Sequence, residues 1–258
     1  MTTDDILKTT FDTNTVNYDK YRPRYTKALF DEVIEYAKIK GGSRVLEVGI
    51  GAGQATRPFL EADCFVTGVD IGENMVAYCN EIFKEYAKFK ALRISFEEYC
   101  ADEKYDLIYS ATAFHWIAEE IGYPKAFSML KGGGALAVFR NHPFVEANDP
   151  VDIKIQKVYE KYTPDSKKGK QFVLEDTAPT VKAMERAGFT EITPKLFKGE
   201  RCIQTEDYIG LLNTYSDHIV MDKKIKPLFE EGIREAMNSE GGRINIKDTI
   251  ELVIGRRP

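Results

Sequence analysis

The chain has 258 residues, of which 43% are hydrophobic, 12% aromatic and 30% charged; it exceeds the roughly 150 residues of a common domain and can fill a sizeable core, which excludes disorder and a multi-module array. Lys and Arg total 36 against 41 Asp and Glu, a net charge of −5 that repels polyanions such as DNA or RNA. The longest uncharged run, Leu107 to Ala118, is far shorter than a membrane-crossing helix, and the acidic start MTTDDILKTTFDTNTVNYDK lacks the apolar core of an export signal, so a cytoplasmic protein with no membrane partner is expected.

Thr26 to Lys40 carries apolar residues at helical spacing and stops at Gly41-Gly42. RVLEVGI (44–50) and CFVTGVD (64–70) read as strands around one short helix, a β-α-β unit. A helix over Glu73 to Lys88, a strand over Ala91 to Phe96 and a strand over Tyr105 to Ser110 repeat the pattern. A helix over Gly122 to Leu130 is broken by Gly132-Gly133-Gly134 before the strand ALAVFR (135–140). Strands that alternate with helices and are apolar on both faces imply a parallel sheet covered on both sides.

After His142 the pattern changes. Asp152 to Tyr162 reads as a helix and TPDSKKGK as a loop, followed by a helix over Thr180 to Ala187 and a strand over Phe189 to Phe197. Pro194 places that strand near an edge or bulge. Helices over Asp207 to His218 and Asp222 to Asn238 precede a last strand, TIELVIG (249–255). The cysteines 64, 79, 100 and 202 show no C-x-x-C pair and only three histidines accompany them, which disfavours a zinc site; buried thiols in a reducing compartment are expected.

The strongest local signal is L-E-V-G-I-G-A-G-Q, Leu46 to Gln54. Gly49, Gly51 and Gly53 follow a strand directly, so the backbone can turn tightly and approach a nucleotide-like ligand; a purely structural loop is the alternative. The dinucleotide pattern G-x-G-x-x-G fails in both registers, since Gln54 or Thr56 stands at the third glycine. Glu47 would repel a pyrophosphate and suits a cationic ligand. Asp70, ending the next strand, can accept from two ribose hydroxyls or cap the following helix.

These residues, with G-V-D-I (68–71), Y-D-L-I-Y-S (105–110) leading into A-T-A-F-H-W, and K-G-G-G before A-L-A-V-F, resemble the class I S-adenosylmethionine-dependent methyltransferases over Thr26 to Pro258. Y-D-K-Y-R-P-R-Y (18–25), A-F-H-W (113–116) and L-L-N-T-Y-S-D-H (211–218) are similar to the small-molecule subgroup that includes trans-aconitate methyltransferase. The resemblance implies a Rossmann-like α/β fold, a doubly wound and mostly parallel seven-stranded sheet with a last antiparallel strand, in a single 1–258 domain. Residues 1–25 would form an N-terminal cover, and 143–179 and 205–240 lid or substrate insertions.

It also implies S-adenosylmethionine as cofactor. Glu47, Gly49, Gly51, Gly53 and Gln54 would hold its methionine part and Asp70 its ribose, with Ile71 and Met75 against the adenine. Phe96 and Glu97 would flank the adenine, Ser95 standing where many relatives carry an aspartate; Ala111 and Ala113 would line the sulfonium, and Tyr18 and Arg22 would close over the site.

The base candidates are His115, with a packing or cofactor contact as alternative, and His142. Arg140, Asn141 and His142 can bind an anionic acceptor, or Arg140 can form a structural ion pair. His218 is expected at the surface or in a lid. S-A-T-A-F (110–114) stands where nucleic-acid amino methyltransferases carry N-P-P-Y, and no metal-binding cluster is evident. The expectation is methyl transfer to a small molecule, a carboxylate among the options, by a monomer or homodimer; the competing classes are a non-catalytic S-adenosylmethionine-binding regulator and an NAD-dependent oxidoreductase.

Overall fold

The computed structural model describes residue 12 and residues 15–164 and 169–258. Residues 1–11, 13 and 14 of the expected N-terminal cover and 165–168 of the expected 143–179 insertion lie outside the described residues. The strands are β1 (Arg44–Val48), β2 (Phe65–Asp70), β3 (Phe89–Arg93), β4 (Tyr105–Ala111), β5 (Leu130–Phe144), β6 (Thr190–Gln204) and β7 (Arg243–Arg256). They form one seven-stranded sheet in the order β3-β2-β1-β4-β5-β7-β6. β3, β2, β1, β4 and β5 pair in parallel, and the sheet is mixed through one antiparallel strand, the expected doubly wound class.

The helices are α1 (Thr15–Tyr21), α2 (Lys27–Tyr36), α3 (Arg57–Glu61), α4 (Glu73–Ile82), α5 (Glu119–Met129), α6 (Pro150–Tyr162), α7 (Ala178–Arg186), α8 (Thr205–Leu212), α9 (Ser216–Ile219) and α10 (Lys226–Asn238). The chain forms two compact units. One comprises Arg24–Asn141, Val173–Phe197 and Ile250–Pro258. Alternation along its strands sends Val45, Leu107 and Ala137 into one apolar layer with Leu29, Val33 and Phe59, and Leu46, Ile108 and Leu136 into the other with Tyr123 and Met184. The other unit comprises the described residues up to Pro23 with His142–Phe172 and Lys198–Thr249; its core is Ile155, Tyr208, Leu211, Phe229, Ile233, Met237 and Ile246.

Several elements differ from the sequence reading. β3 begins two residues earlier than expected and ends at Arg93, so Ser95 to Glu97 follow the strand. The triple glycine lies inside β5: Tyr105 pairs with Leu130 but Leu107 with Ala135, and the intervening residues bulge with Gly133 at φ +78°. The bulge is held by Gly133 N–H donating to the Arg257 carbonyl and Arg257 N–H donating to that of Gly134. β6 and β7 are also longer than expected, because polar residues alternate along them and mask the strand period. Cys64 and Cys79 are buried, but Cys100 and Cys202 are exposed, which corrects the expectation for half of the thiols.

Candidate active site

Parallel pairing brings the carboxyl ends of β1, β2 and β4, with β5 continuing past them, to one edge of the sheet. Register does the first piece of positioning: Glu47 lies opposite Tyr109 across the β1–β4 pair. Glu47 is 1% exposed, and its Oε2 accepts from Tyr109 OH and from Thr56 Oγ1, each at 2.6 Å. Burial pushes the carboxyl up to about 8, against the pull of those two hydrogen bonds and with a smaller push from Asp70. Tyr109 OH is also 3.2 Å from the Ala55 carbonyl. With its single hydrogen turned to Ala55, the phenol oxygen can accept a hydrogen bond from neutral Glu47, so both states of the acid have a hydrogen-bonded arrangement.

The loop that follows is shaped by backbone conformation. Gly49 (φ +71°), Gly51 (φ +54°) and Gly53 (φ +77°) all occupy the left-handed region. A Cβ at Gly49 would stand 2.3 Å from the Ala113 Cβ, and one at Gly53 2.6 Å from the Phe83 ring. The loop is tied to the end of β2 by Asp70, whose Oδ2 accepts from Gly51 N–H and Oδ1 from Gly72 N–H, both at 2.9 Å. The cap of α4 is Gly72, with no side-chain capping bond, so Asp70 serves the loop. Cys79 Sγ, from α4, lies 3.1 Å from the Gly51 carbonyl beneath the loop.

Around this edge Ile71 is 39% exposed and Met75 is buried. Ser95 is engaged locally, its Oγ donating to Glu98 Oε2 and accepting from Glu98 N–H. Phe96 is a core residue beside Phe114, and Glu97 is exposed, its carbonyl accepting from Lys125. Ala111 ends β4 and is half-buried, as is Ala113. Between them Thr112 has φ +57°, costly for a β-branched residue, and is held by its N–H donating to the Phe139 carbonyl and its hydroxyl 2.7 Å from Tyr25 OH. His115 is exposed and tilted over Trp116. Arg140 follows the last β4–β5 pair, Ala111 with Phe139; it is half-buried and makes no hydrogen bond or ion pair among the described residues.

Four predicted residues, Tyr18, Arg22, His142 and His218, belong to the other unit. Arg22 lies over the rings of Tyr18 and Tyr215 and its Nη2 donates to the Thr214 carbonyl at 2.6 Å. The His142 ring stacks on Phe172 at 3.8 Å. His218, expected at the surface or in a lid, is not at the surface: it is 5% exposed, packed on Phe229 and 3.1 Å from Tyr159 OH. Thr56, Tyr109 and Thr112 went unrecognised in the sequence. The β1–β4 register was the signal for Tyr109, while Thr112 had none.

The residues of the sheet edge fit an amino-acid-bearing nucleoside. The glycine positions leave room where a Cβ would collide, Gln54 Nε2 is buried without a hydrogen-bond partner and can donate to a carboxylate, and the Asp70 oxygens can accept further bonds from a diol. Residues 45–134, which hold all of these groups, match the family model described as a methyltransferase domain. With this fold and loop, the chain carries a methyltransferase domain whose cofactor is S-adenosylmethionine.

Similarity to methyltransferases continues beyond residues 45–134. An uncharacterised methyltransferase-like protein of Schizosaccharomyces pombe is 26% identical over 215 residues, 80% of this chain and 77% of its own. A candidate type II methyltransferase from Anaeromyxobacter dehalogenans superposes with a TM-score of 0.65 at 18% identity, over 92% of this chain and 98% of that one. The phosphoethanolamine N-methyltransferase 2 of Haemonchus contortus, solved with S-adenosyl-L-methionine, gives a TM-score of 0.58 at 16% identity, over 100% of this chain and 60% of that one.

Proposed function

We propose that the protein methylates a small molecule, with a carboxylate as the acceptor group, by in-line displacement. The observation that carries this reading is Arg140, a half-buried guanidinium in β5 just past the last residue paired with β4, with no carboxylate among the described residues against it. Such a group is well suited to orient an anionic acceptor through paired N–H donors. When bound, S-adenosylmethionine supplies a methyl group on a sulfonium, already a good leaving group. Glu47 and Gln54 would hold its amino-acid part and Asp70 its ribose, while Ala111 and Ala113 leave space beside the reacting centre.

The protein's contribution is alignment and exclusion of water, worth up to roughly 7–11 kcal/mol. A carboxylate is ionised at pH 7 and needs no base; His115 and His142 are then acceptor-binding groups, and either serves as base only for an alcohol or amine. The net charge of −5 supports a small metabolite over nucleic acid as partner. No helix among the described residues is long and apolar enough to cross a membrane, and a cytoplasmic monomer or homodimer completes the reading.

The test is a panel of mono- and dicarboxylates with labelled methyl donor. Arg140→Ala should raise the acceptor KM at least tenfold while the affinity for S-adenosylhomocysteine stays within twofold. The rate of the parent protein should be flat between pH 6 and 8. An equal loss of both affinities, or a rate that climbs with pH as an amine deprotonates, would remove the carboxylate.

A further inference from the structure

The unit built from α6, α8, α9 and α10 contains a cavity of about 300 Å³ that the cofactor residues do not touch. Its walls include the rings of Tyr159, Tyr208 and Tyr215 and of Phe144, with the apolar side chains of Leu211 and Ile246. Its formal charges among the described residues are the carboxylates of Asp152 and Asp217; Lys and Arg are absent from the described lining. Asp152 is 3% exposed and its Oδ1 accepts from Gln156 at 3.1 Å. Burial holds His218 below the usual imidazole range, Asp217 pulling the other way, so this wall is neutral at pH 7.

The tyrosines are neutral as well. Burial is the main cause of the upward shift at Tyr159, Tyr208 and Tyr215; Asp217 adds to it at Tyr159 and Asp152 at Tyr208, whereas Arg22 and Arg201 pull against it at Tyr215. Aromatic faces carry negative potential, which attracts cations and is strongest where water is excluded. The Tyr215 ring is already covered by the Arg22 guanidinium, 4.4 Å from its centroid; the rings of Tyr159 and Tyr208 and the two carboxylates act in one direction.

We infer that this cavity is a binding site for a small organic cation of the alkylammonium class, held against Tyr159 and Tyr208 with Asp152 and Asp217 as counter-charges. An anion would meet two carboxylates and no ammonium or guanidinium among the described lining. A neutral apolar molecule would bring no counter-charge to the buried Asp152. The inference does not depend on which acceptor Arg140 serves, because binding is read without cofactor or turnover.

The experiment titrates the full chain with (2-hydroxyethyl)trimethylammonium, with its carbon isostere 3,3-dimethylbutan-1-ol, and with 3,3-dimethylbutanoate, following calorimetry and ligand-detected NMR. The cation should bind at least about tenfold more tightly than the isostere, the gain expected of a desolvated cation–π contact. Tyr208→Phe keeps the ring face and should stay within threefold of the parent, whereas Tyr208→Leu should lose tenfold or more. Retained thermal unfolding of the Phe variant keeps the comparison interpretable should the Leu variant fail to fold. Equal affinity for cation and isostere, tighter binding of the anion, or no binding of the cation at 10 mM would each overturn the site. Labelled methyl transfer to 2-(dimethylamino)ethanol would mark the cation's precursor as an acceptor, and binding without transfer would mark a non-reacting ligand; both support the site.

Discussion

Two places in this molecule set a buried carboxylate beside tyrosines, and they are built in opposite ways. Under the glycine loop, Glu47 receives the hydroxyls of Tyr109 and Thr56, and strand pairing fixes the partners. In the helical unit, Asp152 shares a cavity with Tyr159, Tyr208 and Tyr215, and the helices leave a volume between the groups. The first is a closed network that stiffens the ground beneath the loop. The second is an open one, with a cavity of about 300 Å³ among its groups. A closed network should be intolerant of change and an open one tolerant, and the predictions that follow test that contrast.

The largest effect is expected on the closed side, at Gly49. Alanine there would place its Cβ 2.3 Å from Ala113 at φ +71°, so the loop must move. Gly49→Ala should weaken S-adenosylhomocysteine binding by about 100-fold or more, since a shift of ~1 Å at a positioning loop has that cost. Adding Ala113→Gly removes the collision but not the backbone strain, and should restore part of the affinity in calorimetry. Full restoration would show that the conformation at Gly49 is not needed.

The same substitution in both regions gives the direct comparison. Tyr109→Phe leaves the buried Glu47 without one of its donors and should cost about 1–3 kcal/mol in denaturant unfolding. Tyr208→Phe removes the hydroxyl of a residue that lines the cavity and should stay within about 0.5 kcal/mol. Equal losses would mean that the cavity is as tightly built as the strand network.

Glu47 also makes the closed network sensitive to pH. Its carboxyl is pushed from 4.5 up to about 8 in the folded chain, whereas an unfolded glutamate titrates near 4.3. Between those values the folded state keeps a proton that the unfolded state has released, so this group's stabilisation is full below pH ~4 and declines as pH rises towards 8. Thermal unfolding of the cofactor-free protein should show a component that falls across that window and is missing in Glu47→Gln. If Glu47 holds the amino group of S-adenosylhomocysteine, saturating ligand should favour the ionised acid and shrink the slope. A slope identical in parent and variant would assign the pH dependence elsewhere.

The sequence disclosed the closed region far better than the open one. Gly49, Gly51 and Gly53 punctuate an apolar strand, and Asp70 ends the next, so local pattern exposes both. The partners of Glu47 needed the strand register, which is non-local; Tyr109 looked like one more apolar strand residue. The bulge at Gly132 to Gly134 hid within β5 because three glycines signal a turn as readily as a bulge, and the C-terminal residue Arg257 decides between them. In the helical unit Tyr159, Tyr208 and His218 are far apart in sequence, and only the packing of α6, α8 and α9 gathers them, which no periodicity encodes.

The smallest predicted effect concerns Thr112, where the closed region carries strain. A threonine at φ +57° costs roughly 1–2 kcal/mol relative to glycine, and its hydroxyl offsets about 1 kcal/mol through the 2.7 Å bond with Tyr25. Thr112→Gly removes both contributions, which nearly cancel, so its unfolding free energy should lie within about 1 kcal/mol of the parent. Thr112→Ala removes the bond and keeps the unfavourable φ, and should be about 1 kcal/mol less stable than the glycine variant. The difference between the two variants isolates the strain, since neither has the hydroxyl. Because Thr112 lies between Ala111 and Ala113, beside the expected sulfonium position, the glycine variant should also lose methyl-transfer rate while gaining nothing in cofactor affinity. A glycine variant that is as active as the parent would reduce the strain to an accident of the β4 turn.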